Sequence, residues 1–355
     1  MNRDHLPPFS CQVQGQVADI LYQTGISLVL STYQAGKVLL LSASEDGRLI
    51  QLPRTFNRAM GVAIDGDRMA IATKSEVVVL KNSRELAENY PKKRGVYDTM
   101  FLPMASYYTG YLDMHDLHFG VDGLYGVNTS FSCITKIDDQ FSFRPIWQPP
   151  FIDSLISEDR CHLNGLAMVD NQPTYVSALG TGNTERSWRD SITNGGVIMH
   201  VPTSEVVVKG LGMPHAPRVY DGVLYCLLSA NQELVCVDIE KGTYDVVAHI
   251  PGFLRGMAKH GDYLFIGTSK VRTNSSSFGK LNIPQESSIA GLQILHLPSA
   301  QIVGTVSWLS SVDEIYDVQV LPQSRRPNIL NTATGDHVKA LLIPDKTYWS
   351  NLTES

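Results

Sequence analysis

Four of the ten histidines, His115, His118, His162 and His215, fall in short segments that resemble one another: MHDLH, CHLNG and PHAPR. Asn164 in LNGLA and Arg255 in LRGMA occupy matching places in two further segments of the same kind. Imidazole titrates near pH ~6.5 and serves as acid, base or metal ligand. A guanidinium grips a carboxylate or phosphate through paired hydrogen bonds. Two histidines, a carboxylate, an amide and a guanidinium brought together can bind an anion, perform acid–base chemistry or hold a divalent metal. In this reading His115 and His215 are the catalytic groups. Arg255, Asn164, Asp19, His162 and Arg58 contact the substrate. A metal would be held by His115 and His215 with Glu314 or Asp19, leaving positions open for water and substrate.

These residues are far apart in the chain, so the elements around them must bring them together. Short β-branched and aromatic runs bounded by Gly, Asp, Asn and Pro recur along the sequence, which predicts strands. One unit is legible five times: an apolar strand, a DG, GD or DN turn, then a second strand ending in small or hydroxylated residues. It reads AMGVAIDGDRMAIAT at 59–73, MHDLHFGVDGLYGVNT at 114–129, LNGLAMVDNQPTYVSALG at 163–180, PHAPRVYDGVLYCLLS at 214–229 and LRGMAKHGDYLFIGTS at 254–269. The turn pairs supply the positive φ that tight hairpins require. Aligning the second strands on Met69, Leu124, Tyr175, Leu224 and Leu264 gives a spacing of roughly 40 to 55 residues, the period of propeller blades. Third strands are expected at SEVVVL, SCITKID, ELVCVDI, GLQILHL and VKALLIP.

The expected fold is therefore all-β, a single closed β-propeller over residues 1–355 with blade repeats from about 17 to 345 and less than about a tenth helix. VADILYQTGISLVLST at 17–32 and IYDVQVLPQSRRPNILNTAT at 315–334 extend the count to seven blades, the number preferred here. Six result if 17–32 and 315–343 contribute to one composite blade. With seven, the first blade begins near Val17 and leaves residues 9–15 free to close the last blade as an outer strand, removing an exposed sheet edge. The start of each inner strand faces the axis, which places Asp19, Met60, His115, Asn164, His215, Arg255 and Tyr316 around one mouth. Arg58, Asp116, His118, His162, Glu314 and Asp317 flank them. Channels of this kind are also commonly lined by polar residues that only hold water, and His118 reads as a histidine satisfied within the fold. On the site reading, truncating His215 should abolish ligand binding at little cost in stability.

Connections at 83–112, 139–160, 181–195 and 271–289 are too long for simple turns. SRELAENY at 83–90 suits a turn or two of helix, and ERSWRD at 185–190 places Trp188 between two arginines on a loop able to fold over the mouth. GTGNTER at 180–186 resembles a phosphate-cradling loop, but no helix or GK[ST] follows, so it reads as a surface loop. The chain has no GxSxG, HExxH or CxxC. NTS at 128–130, NSS at 274–276 and NLT at 351–353 match the glycosylation sequon, which without a secretory signal carries no meaning.

A composition of 43% hydrophobic and 18% charged residues suits a large buried core, and a net charge of −6 argues against a nucleic-acid grip. Five cysteines without paired spacing imply free thiols and a reducing compartment. With no apolar leader and no membrane-length run, a cytoplasmic protein with no membrane partner is expected.

The segments STYQAGKVLLL, FNRAMGVAID, HDLHFGVDGLYGVNTSFSCI, CHLNGLAM and PHAPRVYDGVLY resemble a bacterial family of uncharacterised propeller-like proteins. Some members of that family are joined to tetratricopeptide repeats, of which this chain has none. The resemblance covers about residues 15 to 345 and implies the fold, with no activity attached. Propeller lactonases and lyases are similar in architecture, but their acidic and Asn metal-ligand pattern is not matched. The reading that follows is a small-molecule-binding or catalytic propeller acting on a polar, anionic substrate at the axial mouth, as a metal-assisted or metal-free lyase, isomerase or hydrolase. The alternative is a non-catalytic scaffold that meets a protein partner through rim aromatics such as those of LPMASYYTGY at 102–111.

Overall fold

The computed structural model describes residues 6–271, 278–281 and 283–351. The NSS sequon, the last two residues of NLT and part of the 271–289 connection lie outside the described residues. Six antiparallel sheets stand around a common axis as blades. Their inner strands are Val318–Leu321, Val62–Asp65, Met114–Gly120, Leu163–Val169, Pro214–Tyr220 and Phe253–His260, for blades one to six. Each inner strand packs against the next, and the sixth meets the first. The blades are joined by this packing and by scattered hydrogen bonds; no continuous ladder runs round the ring.

The preferred count of seven is thus corrected to six, and the reason lies at both ends of the repeat. In VADILYQT the apolar residues Val17, Ile20 and Leu21 are spaced for a helix, and these three are buried. Residues Val17–Thr24 accordingly form an α-helix, stopped by Gly25 in the left-handed conformation at φ 68°. The strand that follows, Ser27–Thr32, is the second strand of blade one and takes its inner partner, Val318–Leu321, from the other end of the chain. Lys37–Ala43 and Leu49–Thr55 complete that composite blade. Beyond it, Pro327–Ile329 runs parallel to Thr99–Tyr108 on the outer edge of blade two. VKALLIP gives Ala340–Ile343, which pairs only with Lys346–Trp349 in a hairpin outside the ring. Trp349 of that hairpin donates from its indole to the carbonyl of Leu86, in the short helix Arg84–Glu88.

Cys11–Gly15 adds to Gln301–Trp308 as the outer strand of blade six, as expected for residues 9–15. Both ends of the chain therefore cover sheet edges that would otherwise invite pairing with another molecule. Among the described residues the only α-helices have eight and five residues, and no helix is long and apolar enough to cross a membrane. All five cysteines are free, with Cys133, Cys161 and Cys226 buried and Cys11 and Cys236 partly exposed.

The hydroxylated ends of the second strands join neighbouring blades. Ser31 Oγ donates to the carbonyl of Met60, Thr129 Oγ1 to that of Leu163, Ser229 Oγ to that of Leu254 and Ser269 Oγ to that of Ile315. Two inner-strand carboxylates do the same in the opposite sense: Asp116 accepts from the Leu166 N–H at 2.9 Å and Asp317 from the Val62 N–H at 2.8 Å. The backbone beside each aspartate lies so close to the next strand that only glycine fits there. A Cβ on Gly61 would sit 2.8 Å from the Asp116 carbonyl carbon, and one on Gly256 would sit 2.5 Å from Asp317 Cα. Side chains at the start of the inner strands are thereby held at fixed positions around the axis.

Candidate functional site

The starts of five inner strands, Met60, His115, His215, Arg255 and Tyr316, line a cavity of about 250 Å³ at one end of the axis. Asn164, the residue of blade four at the same register, lines a small void of about 20 Å³ directly beneath, together with His115, His215, Arg255 and Tyr316. One residue from each of six blades thus converges, including all of His115, Asn164, His215 and Arg255. Residues of two long connections complete the walls: Arg186, Trp188 and Arg189 from one, Lys270, Val271 and Phe278 from the other. Leu179, Trp188, Ile192, Met213 and Phe253 pack together at this wall, with Val271 and Phe278 against them.

A repeated backbone device sets the histidines. Two residues before the mouth position the chain enters the left-handed region without glycine: Arg58 at φ 52°, Asp113 at 52°, His162 at 49° and Met213 at 52°. Such residues are costly, on the order of 1 kcal/mol or more each, and persist where the surroundings impose them. In blades three and five this kink aims a carbonyl at the imidazole two residues on. His115 Nδ1 lies 2.8 Å from the Asp113 carbonyl, and His215 Nδ1 lies 2.9 Å from that of Met213. A carbonyl only accepts, so both rings carry their proton on Nδ1 and keep a lone pair at Nε2.

For His215 that lone pair is spoken for, since Arg255 Nη1 donates to Nε2 over 3.0 Å. Ser229 Oγ lies 2.8 Å from Nδ1 and sends its own proton to the Leu254 carbonyl. Burial, and next the Arg255 charge, hold the His215 pKa well below its ordinary value. His215 is therefore a neutral acceptor that fixes Arg255. His115 is likewise pushed down to about 4, chiefly by burial, against the pull of Asp113 and with help from His162 and Arg255. Its Nε2 keeps the ring's lone pair in the cavity wall.

His162 belongs to a different arrangement. Its Nδ1 lies 2.9 Å from Asp159 Oδ1, and the other oxygen of Asp159 accepts from the Trp188 indole at 3.1 Å. Trp188 stacks on the His162 ring with centroids 4.3 Å apart, and His115 meets it edge to face at 4.8 Å. Carboxylate, imidazole and indole thus form one group, with Nε2 of the ring opposite the carboxylate. That is the geometry of an oriented general base.

Arg255 is clamped between aromatic rings, its guanidinium carbon 4.6 Å from the Tyr316 centroid and 5.3 Å from that of Phe253. It forms no ion pair with a carboxylate among the described residues, and its Nε is buried without a hydrogen-bond partner there. The Tyr316 hydroxyl is also buried without a partner, and burial raises its pKa well above the ordinary value. Of the other cations, Lys270 is paired with Asp313, and Arg186, well exposed, lies 3.8 Å from Glu185; Arg189 has no ion pair among the described residues but is exposed, over the Trp188 ring.

Several expectations from the sequence need correction. Asp19 is exposed in the first turn of helix Val17–Thr24 and does not line the cavity, because the segment taken for an inner strand is that helix. Arg58 is exposed outside the cavity, 3.3 Å from the hydroxyl of Tyr33, which does line it. The metal set of His115, His215 and Glu314 is not assembled: among the described residues no three His, Cys, Asp or Glu groups are disposed to hold an ion. His215 Nε2, the nitrogen such an ion would need, faces the cationic Arg255 instead. Glu314 does line the cavity and is 4% exposed. His215 is 3% exposed and hydrogen-bonded at both nitrogens, so its truncation is expected to cost stability, contrary to the expectation from the sequence.

His118 sits in a separate recess away from the mouth, its Nε2 3.2 Å from Asp116 Oδ1 but buried without a well-aligned hydrogen bond. ERSWRD does reach the mouth, with Trp188 buried at 3% exposure. GTGNTER is a loop fastened by Arg160, whose Nη1 donates to Asn183. Asp113 and Asp159 were missed; their signal is an aspartate two or three residues before a mouth histidine, in DMH and DRCH.

A family model described as a domain of unknown function (DUF4915) matches residues 15–330. The chain belongs to that family. No curated protein matches it. Among solved structures, a protein of unknown function from Bacteroides caccae is similar at 10% identity and a TM-score of 0.52, covering 83% of this chain and 98% of the other. A chain from a nidogen/laminin complex is similar at 11% identity and a TM-score of 0.48, covering 84% and 99%. At these identities the first likeness concerns the fold alone, and the second carries no argument. Neither the family match nor these structures shows a fusion to tetratricopeptide repeats.

Proposed function

We propose that members of this family built like this chain bind a small organic anion in the axial cavity, with Arg255 as its anchor and the Asp159–His162 pair as the group that exchanges a proton with it. Arg255 carries the reading. A guanidinium fixed by a neutral histidine, stacked on two rings, unpaired with any described carboxylate and holding a buried, partnerless Nε is equipped for a ligand's negative charge. The cavity's volume of about 250 Å³ suits a metabolite and excludes a folded partner. A panel of small carboxylates and phosphorylated metabolites, screened by thermal shift and calorimetry, tests this. At least one anion should bind wild type and lose about tenfold or more in affinity in Arg255→Gln, an effect of the size expected for a charged hydrogen bond. Equal binding by both proteins, or no binding anion, would remove the reading.

A rim contact with another protein is favoured by one separate observation. Met104, Tyr108 and Tyr111 are 49%, 81% and 69% exposed along the outer edge of blade two. Tyr108 does not line the cavity, so Tyr108→Ser should leave anion binding unchanged.

A further inference from the structure

Resting on the anion reading above, we infer that the ligand is a hydroxylated monocarboxylate, a small sugar acid or polyhydroxy acid, whose hydroxyls are read by His162 and His115. The geometry of the anchor favours a carboxylate. The half-buried Arg255 guanidinium, without an acid partner among the described residues, matches a planar, two-oxygen group. A phosphate would call for converging backbone N–H groups at a helix start. Among the described residues the helical segments at this mouth are two short 3-10 turns, Ser187–Ser191 and Phe278–Lys280. The size agrees: about 250 Å³ is the room of roughly eight waters at ~30 Å³ each.

The hydroxyls follow from the tautomers. His115 places Nδ1 on the Asp113 carbonyl and His162 places Nδ1 on the Asp159 carboxylate, so the unprotonated form of each ring has its acceptor at Nε2. The two rings meet edge to face with centroids 4.8 Å apart. Two adjacent acceptors are of no use to a bare carboxylate or a hydrocarbon chain, whereas neighbouring hydroxyls supply two donors. The buried, unpartnered Tyr316 hydroxyl provides a donor in the same cavity for a hydroxyl oxygen.

Asp159→Asn inverts one of these acceptors without changing its shape. The Trp188 indole can only donate, so the new amide must turn its oxygen to Trp188 and its NH₂ to His162 Nδ1. His162 then moves its proton to Nε2 and becomes a donor. The experiment is calorimetry at pH 8 with gluconate, hexanoate and glucose, on wild type and Asp159→Asn, with melting curves to show that both are folded. Gluconate should bind wild type about tenfold or more tighter than hexanoate, and glucose not measurably, because a site built for hydroxyls disfavours analogues lacking them. In Asp159→Asn the ratio of gluconate to hexanoate affinity should fall by about tenfold, whatever common change in anion affinity follows from losing the carboxylate charge. Equal binding of gluconate and hexanoate to wild type overturns the hydroxyl reading and leaves the anion site standing. Tight glucose binding, or an unchanged gluconate preference in Asp159→Asn, overturns it as well. Failure of both acids to bind overturns it together with the anion site on which it rests.

Discussion

Two polar clusters lie within three residues of each other on the same inner strands and have opposite characters. At the mouth stand His115, His215 and Tyr316; just below, Asp116, Arg218 and Asp317 plug the axis. In the plug no side-chain atom of Asp116, Arg218 or Asp317 is buried without a partner. Asp116 accepts from the N–H groups of Leu117 and Leu166 and from both terminal nitrogens of Arg218 at 2.8 and 3.1 Å. Arg218 Nη1 donates further to the carbonyls of Leu166 and Pro217, and Asp317 accepts from the N–H groups of Val62 and Val318. At the mouth, Arg255 Nε and the Tyr316 hydroxyl have no partner among the described residues, and His115 and His162 keep a lone pair. Burial and charge are common to both clusters, so neither marks a site. The difference is hydrogen-bonding capacity left over, which a structural plug cannot tolerate and a binding site requires.

The comparison breaks first, and with the largest effect, at Arg218. Removing it as Arg218→Met leaves two carboxylates facing each other at the axis, which should cost about 3–5 kcal/mol in urea unfolding. A loss below about 1 kcal/mol would show that the plug is not structural. His215→Ala comes next, at about 2–3 kcal/mol, because it leaves a buried gap beside Phe253 and strands Ser229 and Arg255. Arg255→Gln, by contrast, should melt within about 1 kcal/mol of wild type while losing the ligand. If the two variants are equally destabilised, mouth and plug are not distinct.

Acid sharpens the same contrast with a smaller effect. The folded pKa values of His115 and His215 are depressed, so the unfolded chain binds more protons than the folded one below the ordinary imidazole value. Stability contributed by these rings is complete above pH ~6.5 and is lost as the pH falls toward about 4, the value for His115. Asp317 acts in the opposite sense. Burial, then the charge of Asp116, raises it to about 6, so its contribution is present at low pH and lost as the pH rises through that value. Burial alone would raise Asp116 too, but Arg218 and His118 outweigh it and hold that carboxyl below the usual range. Melting curves from pH 7.5 to 4.5 should therefore fall less steeply in His115→Gln than in wild type, and more steeply in Asp317→Asn. The smallest effect is expected at Asp19→Ala, which should leave binding unchanged and stability within about 0.5 kcal/mol. A lost ligand there would return Asp19 to the site.

Much of this contrast was legible in the residues, and the places where it was not share a cause. The five hairpin units were readable because alternation and turn pairs are local, and their register carried His115, Asn164, His215 and Arg255 to one mouth. The segment 17–24 was misread because an eight-residue apolar run supports either period until its burial is known; the spacing of Val17, Ile20 and Leu21 and the terminal Gly25 were the deciding signs. His215 was taken for an acid, base or metal ligand because residue type says nothing of which nitrogen holds the proton. The carbonyl of Met213, turned by a left-handed kink, decides that.

By itself the sequence determined the strands, the repeat and the register, because these depend on side-chain alternation and turn chemistry within about fifteen residues. It thereby carried Met60, His115, Asn164, His215, Arg255 and Tyr316 to the axis, while Asp19, named with them, left the ring only when 17–24 proved helical. Only the tertiary structure decided the number of blades, since the composite blade joins Ser27–Thr32 to Val318–Leu321, strands from opposite ends of the chain. Only the tertiary structure decided the roles at the mouth as well: His215 fixes Arg255, Asp159 orients His162, and no metal set is assembled among the described residues. A residue's chemistry there is set by the partner opposite it, and that partner comes from another blade or a distant loop.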